Sequence, residues 1–492
     1  MHITRELNDL RLDNMQLIKV RHNKKYLTNS TIWLFFVLLL VCVYRENSEL
    51  SHGIYTILAT ASYFFCVYNW VKCGNRVVSL FSFFMLYAFL CNCIQSLLYV
   101  FGVPSELLTA YWLPSFPSMC EMMRYQALCI AALNFGVVLY ITKKGNSSSM
   151  DEQLKWYKEV NSSWLNENAI LTTLFFICLI GSFIALFNTA SVRSSMSYHE
   201  YMDQGHNEVQ TYFYFSYFFL FLGLRYVFSK RFVYLTYAAW IVLTLGYMLL
   251  GLRTQAIPYI ACFVITVPIT HPGLFKKHTI PFWVVGSVVF FIGLGVISST
   301  REYTGTALSS GYDGLGTSLI YSVGDVGSVS QMTAITMDEI EKGMPHYQTI
   351  LYFLTTVIPT RVLKIPIELF NALGPAGWDI SPGTFMSERI GKSGMGFSFL
   401  AESFMNYGWL GCVYIFLYGY IIAFLENSAY KKIMKGSFFR ITFLLLLTRL
   451  VFYARADLWL CNNYVEYMVF TGIIYLFFNQ RKKKDSIIKR PV

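Results

Sequence analysis

The sequence predicts an all-α protein, a polytopic helical integral membrane protein, and three observations predict it. Of its 492 residues, 55% are hydrophobic and only 14% are charged, against a charged share of about a quarter in soluble domains. Apolar runs at 31–44 with its flanks, 212–228, 279–298 and 438–453 approach or reach the length that carries a helix across roughly 30 Å of hydrocarbon. Basic residues gather in alternate connections between such runs. A secreted, nuclear or cytosolic enzyme with one anchor is excluded, because a lipid-facing backbone must satisfy its own hydrogen bonds and does so as helices.

Taken in order, the apolar windows predict helices near 27–44, 54–71, 77–101, 120–142, 169–189, 209–228, 232–251, 255–271, 279–298, 404–425, 438–454 and 463–479, or about twelve spans. Nothing at the N-terminus reads as cleavable, since the first apolar run follows a long mixed-charge segment, and the first helix is expected to stay as a signal anchor. With a cytoplasmic N-terminus, the inside segments hold Lys24, Lys25, Lys72, Arg76, Lys143, Lys144, Lys230, Arg231, Lys276, Lys277, Lys431, Lys432 and the basic tail 481–490. The positive-inside rule therefore puts both termini in the cytoplasm. This divides the chain into 1–298 with the first nine or so helices, a long outer loop at 299–396, and 397–492 with about three more helices and the tail.

The excess of 39 Lys and Arg over 28 Asp and Glu is scattered between apolar segments, which argues against a nucleic-acid surface. Most of the eleven cysteines lie inside apolar runs without CxxC spacing and read as packing residues. Cys120 and Cys461 fall near the predicted outer face, with no spacing that argues for a disulfide.

The loop at 299–396 breaks the pattern of short connections. It opens with Gly305, Gly311, Gly314, Gly316, Gly324 and Gly327 and contains an apolar stretch at 349–358 that reads as a re-entrant or interfacial helix ending before Pro359. A loop this long is usually functional or disordered, and its aromatic and aliphatic content argues for order against the membrane.

Arginines at outer helix ends and in the loop run against the positive-inside rule. Arg253 breaks two apolar spans, Arg301 follows the ninth, Arg361 and Arg389 lie in the loop, and Arg449 and Arg455 flank the outer end of the eleventh. A guanidinium fork suits phosphate and stays charged in a partly dehydrated site, so a pyrophosphate ligand at the outer surface accounts for the set. The bland reading is snorkelling to headgroups or pairing with Glu302, Glu388 or Asp457. Glu402 stands at the lip of an apolar helix, where an unpaired carboxylate is costly, and is a candidate general base or arginine partner. A structural carboxylate that orients the loop is the equal alternative. His346 is a second candidate base.

Other motifs fail. Gly391-Lys392-Ser393 resembles the end of a phosphate-binding loop, but Met386 stands where its first glycine is required. No HExxH, paired-histidine site, Gly-x-Ser-x-Gly turn or Asp-x-Asp occurs, so no metal or cofactor is expected.

The many-span layout, the Gly251-Leu-Arg253-Thr-Gln255 break, the single late outer loop and the stretch Gly394-Met-Gly-Phe-Ser-Phe-Leu-Ala-Glu402-Ser-Phe-Met-Asn406-Tyr-Gly408-Trp-Leu-Gly411 together resemble bacterial O-antigen polymerases of the Wzy type, best over 251–411. The resemblance implies a GT-C-like, metal-independent inner-membrane glycosyltransferase. Such an enzyme joins oligosaccharide repeat units carried on undecaprenyl pyrophosphate at the periplasmic face, with membrane lipids and a chain-length regulator as further partners. A family arginine-to-glycine spacing is not kept, since eleven positions after Arg361 stands Ala372 and after Arg389 stands Leu400. On this basis Arg253, Arg301, Arg361, Arg389 and Arg455 are expected to bind pyrophosphate, and Glu402 or His346 to take the acceptor proton. An O-antigen ligase is the nearest alternative, and a lipid-linked oligosaccharide flippase or other transporter the next. Unlike halves and the absence of midplane charge chains lower the transporter reading.

Overall fold

A computed structural model describes residues 2–75, 77, 79–144, 169–195, 230–250, 326–346, 382–391, 396–430 and 450–456, together with positions 260, 320, 349, 446 and 458. The described residues are helical, with no strand among them. The helices are α1 (His2–Val43), α2 (Glu49–Lys72), α3 (Leu80–Asn92), α4 (Ile94–Val100), α5 (Phe116–Lys144), α6 (Ala169–Ser195), α7 (Lys230–Leu249), α8 (Ser330–Glu341), α9 (Pro382–Arg389), α10 (Phe399–Tyr407) and α11 (Gly411–Tyr430). Among the described residues, four stretches are long and apolar enough to cross a membrane: Asn23–Val43, Glu49–Lys72, Phe116–Lys143 and Phe399–Ser428. The pair α3 and α4 makes a fifth if its 54° bend lies within one span.

Local chemistry sets the ends of these helices. The side chains of Ser48 and Ser79 cap α2 and α3 by accepting from Ser51 N at 3.3 Å and Ser82 N at 3.1 Å, which satisfies backbone donors that the first turn leaves unpaired. Glu49 in the first turn of α2 and Lys72 in its last both match the helix dipole. At the start of α3, the backbone N–H of Phe81 donates to Glu426 Oε2 of α11 at 2.8 Å, so a carboxylate is held in an apolar setting by a helix N-terminus.

The centre of the bundle is α5, whose apolar window is 83% buried against 22% for that of α1. Helices α1, α2 and α11 pack around it. Ser30, Asn69 and Asn134 hydrogen-bond one another across α1, α2 and α5, with Asn69 Nδ2 donating to Ser30 Oγ at 3.1 Å and to Asn134 Oδ1 at 3.2 Å. Side-chain bonds of this kind hold helices together where lipid removes most of the hydrophobic drive. Gly136 of α5 and Gly419 of α11 face the backbone carbonyls of Phe416 and Leu133 so closely that a methyl group has no room. Small residues here let the two backbones touch, as membrane helix pairs require.

The windows near 27–44, 54–71, 120–142, 169–189 and 232–251 are helical as expected. The expected single helix at 77–101 is instead two, broken at Cys93, and the one at 404–425 starts earlier, at Phe399, with a short 3-10 turn at Gly408–Leu410 inside it. The windows at 209–228, 255–271, 279–298 and 463–479, and most of 438–454, lie outside the described residues, as do the apolar stretch at 349–358 beyond Thr349 and the boundary at 298–299.

The described part of the segment expected as the outer loop packs against the bundle. Residues Ser330 to Met337 of α8 are buried, and α8 packs on α5 and α10. Met332 and Ile335 join Met344, Met386, Phe397, Ala401 and Met405 in one cluster that ties α8, α9 and α10 together. Gly327, just before α8, lies against Ile94, Gln95 and the Leu90 carbonyl at the α3–α4 break. The described apolar residues of this segment thus pack into the bundle.

Candidate functional site

The helix α10 is built to present its polar face inward. Ser398 caps it by accepting from Ala401 N at 3.1 Å, and the segment 450–456 lies along its start. Phe397 N donates to Arg455 O at 3.2 Å and Phe399 N to Tyr453 O at 2.9 Å. Four residues after the cap, Glu402 is only 1% exposed. Its carboxylate is fully engaged: Oε1 accepts from Thr349 Oγ1 at 2.9 Å, and Oε2 accepts from the backbone N–H of Leu458 at 2.8 Å. The hydroxyl of Tyr453 lies beside the same carboxylate. One turn further on, Asn406 Nδ2 donates to Thr349 Oγ1 at 2.6 Å and to Glu402 O at 2.7 Å. Glu402 thereby joins three separate parts of the chain: α10, Thr349 and Leu458.

At the other end of α10, His346 Nδ1 lies 3.1 Å from the Met405 carbonyl. A carbonyl only accepts, so Nδ1 carries the proton and in the neutral ring Nε2 keeps its lone pair. The imidazole is exposed and sits edge-on to Phe404, with ring centroids 6.5 Å apart. Gly408 follows α10 with φ 55° and ψ −135°, a conformation that suits only glycine. A Cβ there would stand 3.3 Å from His346 Cε1. Gly411 begins α11 with no room for a side chain beside Tyr125 and the Ser403 carbonyl, and Tyr125 and Ser403 share a hydrogen bond of 2.7 Å. Gly408 and Gly411 are therefore explained by the tight turn from α10 into α11.

Four of the expected site residues fall among the described ones. Glu402, His346 and Arg455 gather around α10, with the side chain of Arg455 beside Tyr87 and Cys91 of α3. Arg389, at the end of α9, pairs through Nε with Glu339 of α8, which also binds Lys342 at 3.0 Å. The Arg389 guanidinium, with Lys342 adding to it, holds the Glu339 carboxyl below the usual carboxylate range. Arg253, Arg301 and Arg361 lie outside the described residues.

A further arginine, Arg124, has a structural role. Arg124 is 3% exposed; it donates to Glu46 O at 3.2 Å and Asn47 Oδ1 at 3.1 Å, lies over the Tyr55 ring, and so fastens the α1–α2 turn to α5. Cys120 is buried with its thiol 3.8 Å from the Ser48 carbonyl, and Cys461 lies outside the described residues. Among the described residues, no group of three or more His, Cys, Asp or Glu side chains is placed to hold a metal ion.

The sequence reading missed Thr349, Asn406 and Tyr453. Asn406 carried a usable signal, being one helical turn from Glu402 on the same face. Thr349 and Tyr453 reach the carboxylate from distant parts of the chain and carried none.

Neither a curated protein nor a solved structure matches this chain. The sequence model of the O-antigen polysaccharide polymerase Wzy family matches residues 29–485, a range that takes in every candidate span but the first few residues of α1's and all of the α10 site, so the chain is an integral membrane protein of that polymerase family.

Proposed function

We propose that this protein joins oligosaccharide repeat units carried on undecaprenyl pyrophosphate, at the periplasmic face of the bacterial inner membrane and with both termini in the cytoplasm. The growing glycan on its lipid carrier is the donor. A hydroxyl oxygen of the incoming unit attacks the sugar carbon bonded to pyrophosphate, the carbon–oxygen bond to phosphorus breaks, and lipid pyrophosphate leaves with the electron pair.

The hydroxyl proton needs an acceptor, and the observation that carries the assignment is the His346 tautomer. The Met405 carbonyl holds the proton on Nδ1, leaving an exposed Nε2 with the lone pair that a general base uses. Glu402 is the weaker candidate for that role because both of its oxygens already accept hydrogen bonds. It is a positioning residue, fixing the segments that bear His346 and Arg455. Arg455, with Arg253, Arg301, Arg361 and Arg389, supplies the positive charge that a leaving pyrophosphate requires, and no metal is needed for that task. A chain-length regulator is a further expected partner.

The test is the banding of surface polysaccharide from a strain lacking this gene and complemented with wild type, His346→Ala or Arg253→Ala at matched protein levels. The reading expects the null strain to show core plus a single repeat unit, wild type to restore the ladder, and both variants to fail. An unchanged ladder in the null strain overturns it. Loss of even the single capped unit points to a ligase or a flippase.

A further inference from the structure

Trp409 stands at the centre of the 3-10 turn Gly408–Leu410 that joins α10 to α11. Its side chain is 37% exposed, and two buried rings hold it: Tyr125, with centroids 5.6 Å apart at 84°, and Phe404, 6.3 Å apart at 80°. Those two rings pack on each other at 5.1 Å, and the Tyr125 hydroxyl is tied to Ser403, so the indole rests on a fixed base. Phe404 carries the His346 imidazole as well, at 6.5 Å. Gly408 directly precedes Trp409, and a Cβ there would stand 3.3 Å from His346 Cε1 and 3.5 Å from Nε2. The edge of the imidazole that bears Nε2 therefore lies against the turn that carries Trp409, and the exposed indole and the proton acceptor are neighbours.

We propose that Trp409 binds the acceptor, its indole stacking on the C–H face of the sugar whose hydroxyl gives its proton to His346 Nε2. A hydroxyl within hydrogen-bond reach of the base brings its own sugar ring to this turn. The C–H face of a pyranose complements the negative face of an indole, and the indole N–H donates to a sugar hydroxyl. A large ring already held in place gives contact area at little cost in entropy. Tryptophan also gathers at membrane–water boundaries, and the exposed Leu410, Val413 and Leu417 continue from it along α11, so a lipid anchor is the alternative that the test must separate. The inference rests on the polymerase reading above and names the acceptor contact of that same site.

The experiment is equilibrium binding to the full-length protein in lipid nanodiscs, with two probes. One is the repeat-unit oligosaccharide, released by mild acid from the lipid-linked material of the strain lacking this gene; it carries the acceptor hydroxyl without pyrophosphate. The other is bare undecaprenyl pyrophosphate. Trp409→Leu is expected to weaken the oligosaccharide about tenfold and Trp409→Phe, which keeps a smaller aromatic face, about threefold, with the bare lipid bound as by wild type. The Phe variant decides the matter if the Leu variant does not fold. If the variants bind the oligosaccharide as wild type does, Trp409 is an anchor and the inference is overturned; equal weakening of both probes overturns it too, by making the ring a packing element. If wild type binds neither probe, the polymerase reading fails first and takes this inference with it.

Discussion

Glu402 and Asn406, one turn apart on α10, meet on a single hydroxyl: Thr349 donates to the carboxylate at 2.9 Å and accepts from the amide at 2.6 Å. The hydroxyl uses donor and acceptor together, so the relay has a fixed direction from Asn406 through Thr349 to Glu402. This ties Thr349 to α10, and the second carboxylate oxygen extends the tie to Leu458.

Glu402→Gln keeps the shape but puts an NH₂ group where one of two donors must be accepted. The expected cost is about 1–3 kcal/mol, the penalty for stranding a buried polar group, read as a lower melting temperature in detergent. Chain growth is expected to fall with it, because the residues beside Arg455 and His346 lose their anchor. Thr349→Val is expected to cost less, and the double variant less than the sum of the two, since both act on one network. Strict additivity in the double-mutant cycle would show that the relay is not a unit.

His346→Ala is expected to lower chain growth roughly 100-fold or more, the range of a lost general base, with little change in melting temperature because the ring is exposed. Ladder intensity at matched protein level is the measurement. A variant that grows full-length chains at the wild-type rate removes His346 from the chemistry.

Gly408→Ala places a Cβ at a backbone conformation with φ 55°, which costs on the order of 1–3 kcal/mol. The same Cβ presses on the His346 ring, 3.3 Å away, so activity is expected to fall further than stability alone predicts. Thermal unfolding and chain growth, measured side by side, separate the two effects; proportionate losses would mean that the ring is not displaced.

The Glu339 carboxyl titrates below its ordinary range because Arg389 and Lys342 bind it. A depressed folded value means that the pair stabilises the α8–α9 contact above the ordinary carboxylate value, and that this is lost as pH falls through the folded one. Limited proteolysis between α8 and α9 is expected to accelerate on that acid side in wild type. In Arg389→Ala it is expected to be fast already at neutral pH. Identical pH profiles for the two proteins would discount the pair.

Much of this protein was legible in its residues taken in order. The helices at α1, α2, α5, α6 and α7 follow from apolar runs of membrane length, and Glu402 stood out because a carboxylate in an apolar helix must have a reason. The same runs hid the break at Cys93, since 77–101 is apolar on both sides of it and hydropathy does not record a 54° bend. The segment 299–396 read as a loop ordered against the membrane because sequence distance says nothing of docking, whereas α8 buries Met332, Ile335 and Met337 against its neighbours. Arg389 stood out in the sequence as a loop charge, and only the fold shows its pairing with Glu339; the role of Arg124 in fastening the α1–α2 turn is likewise visible only in the fold. Composition and periodicity determined that the chain crosses a membrane as helices, because burial in lipid acts on each segment by itself. Which polar groups share a site was decided only by tertiary structure, because hydrogen bonds such as those from Thr349 and Leu458 to Glu402 join atoms more than fifty residues apart in the chain and depend on their meeting within about 3 Å.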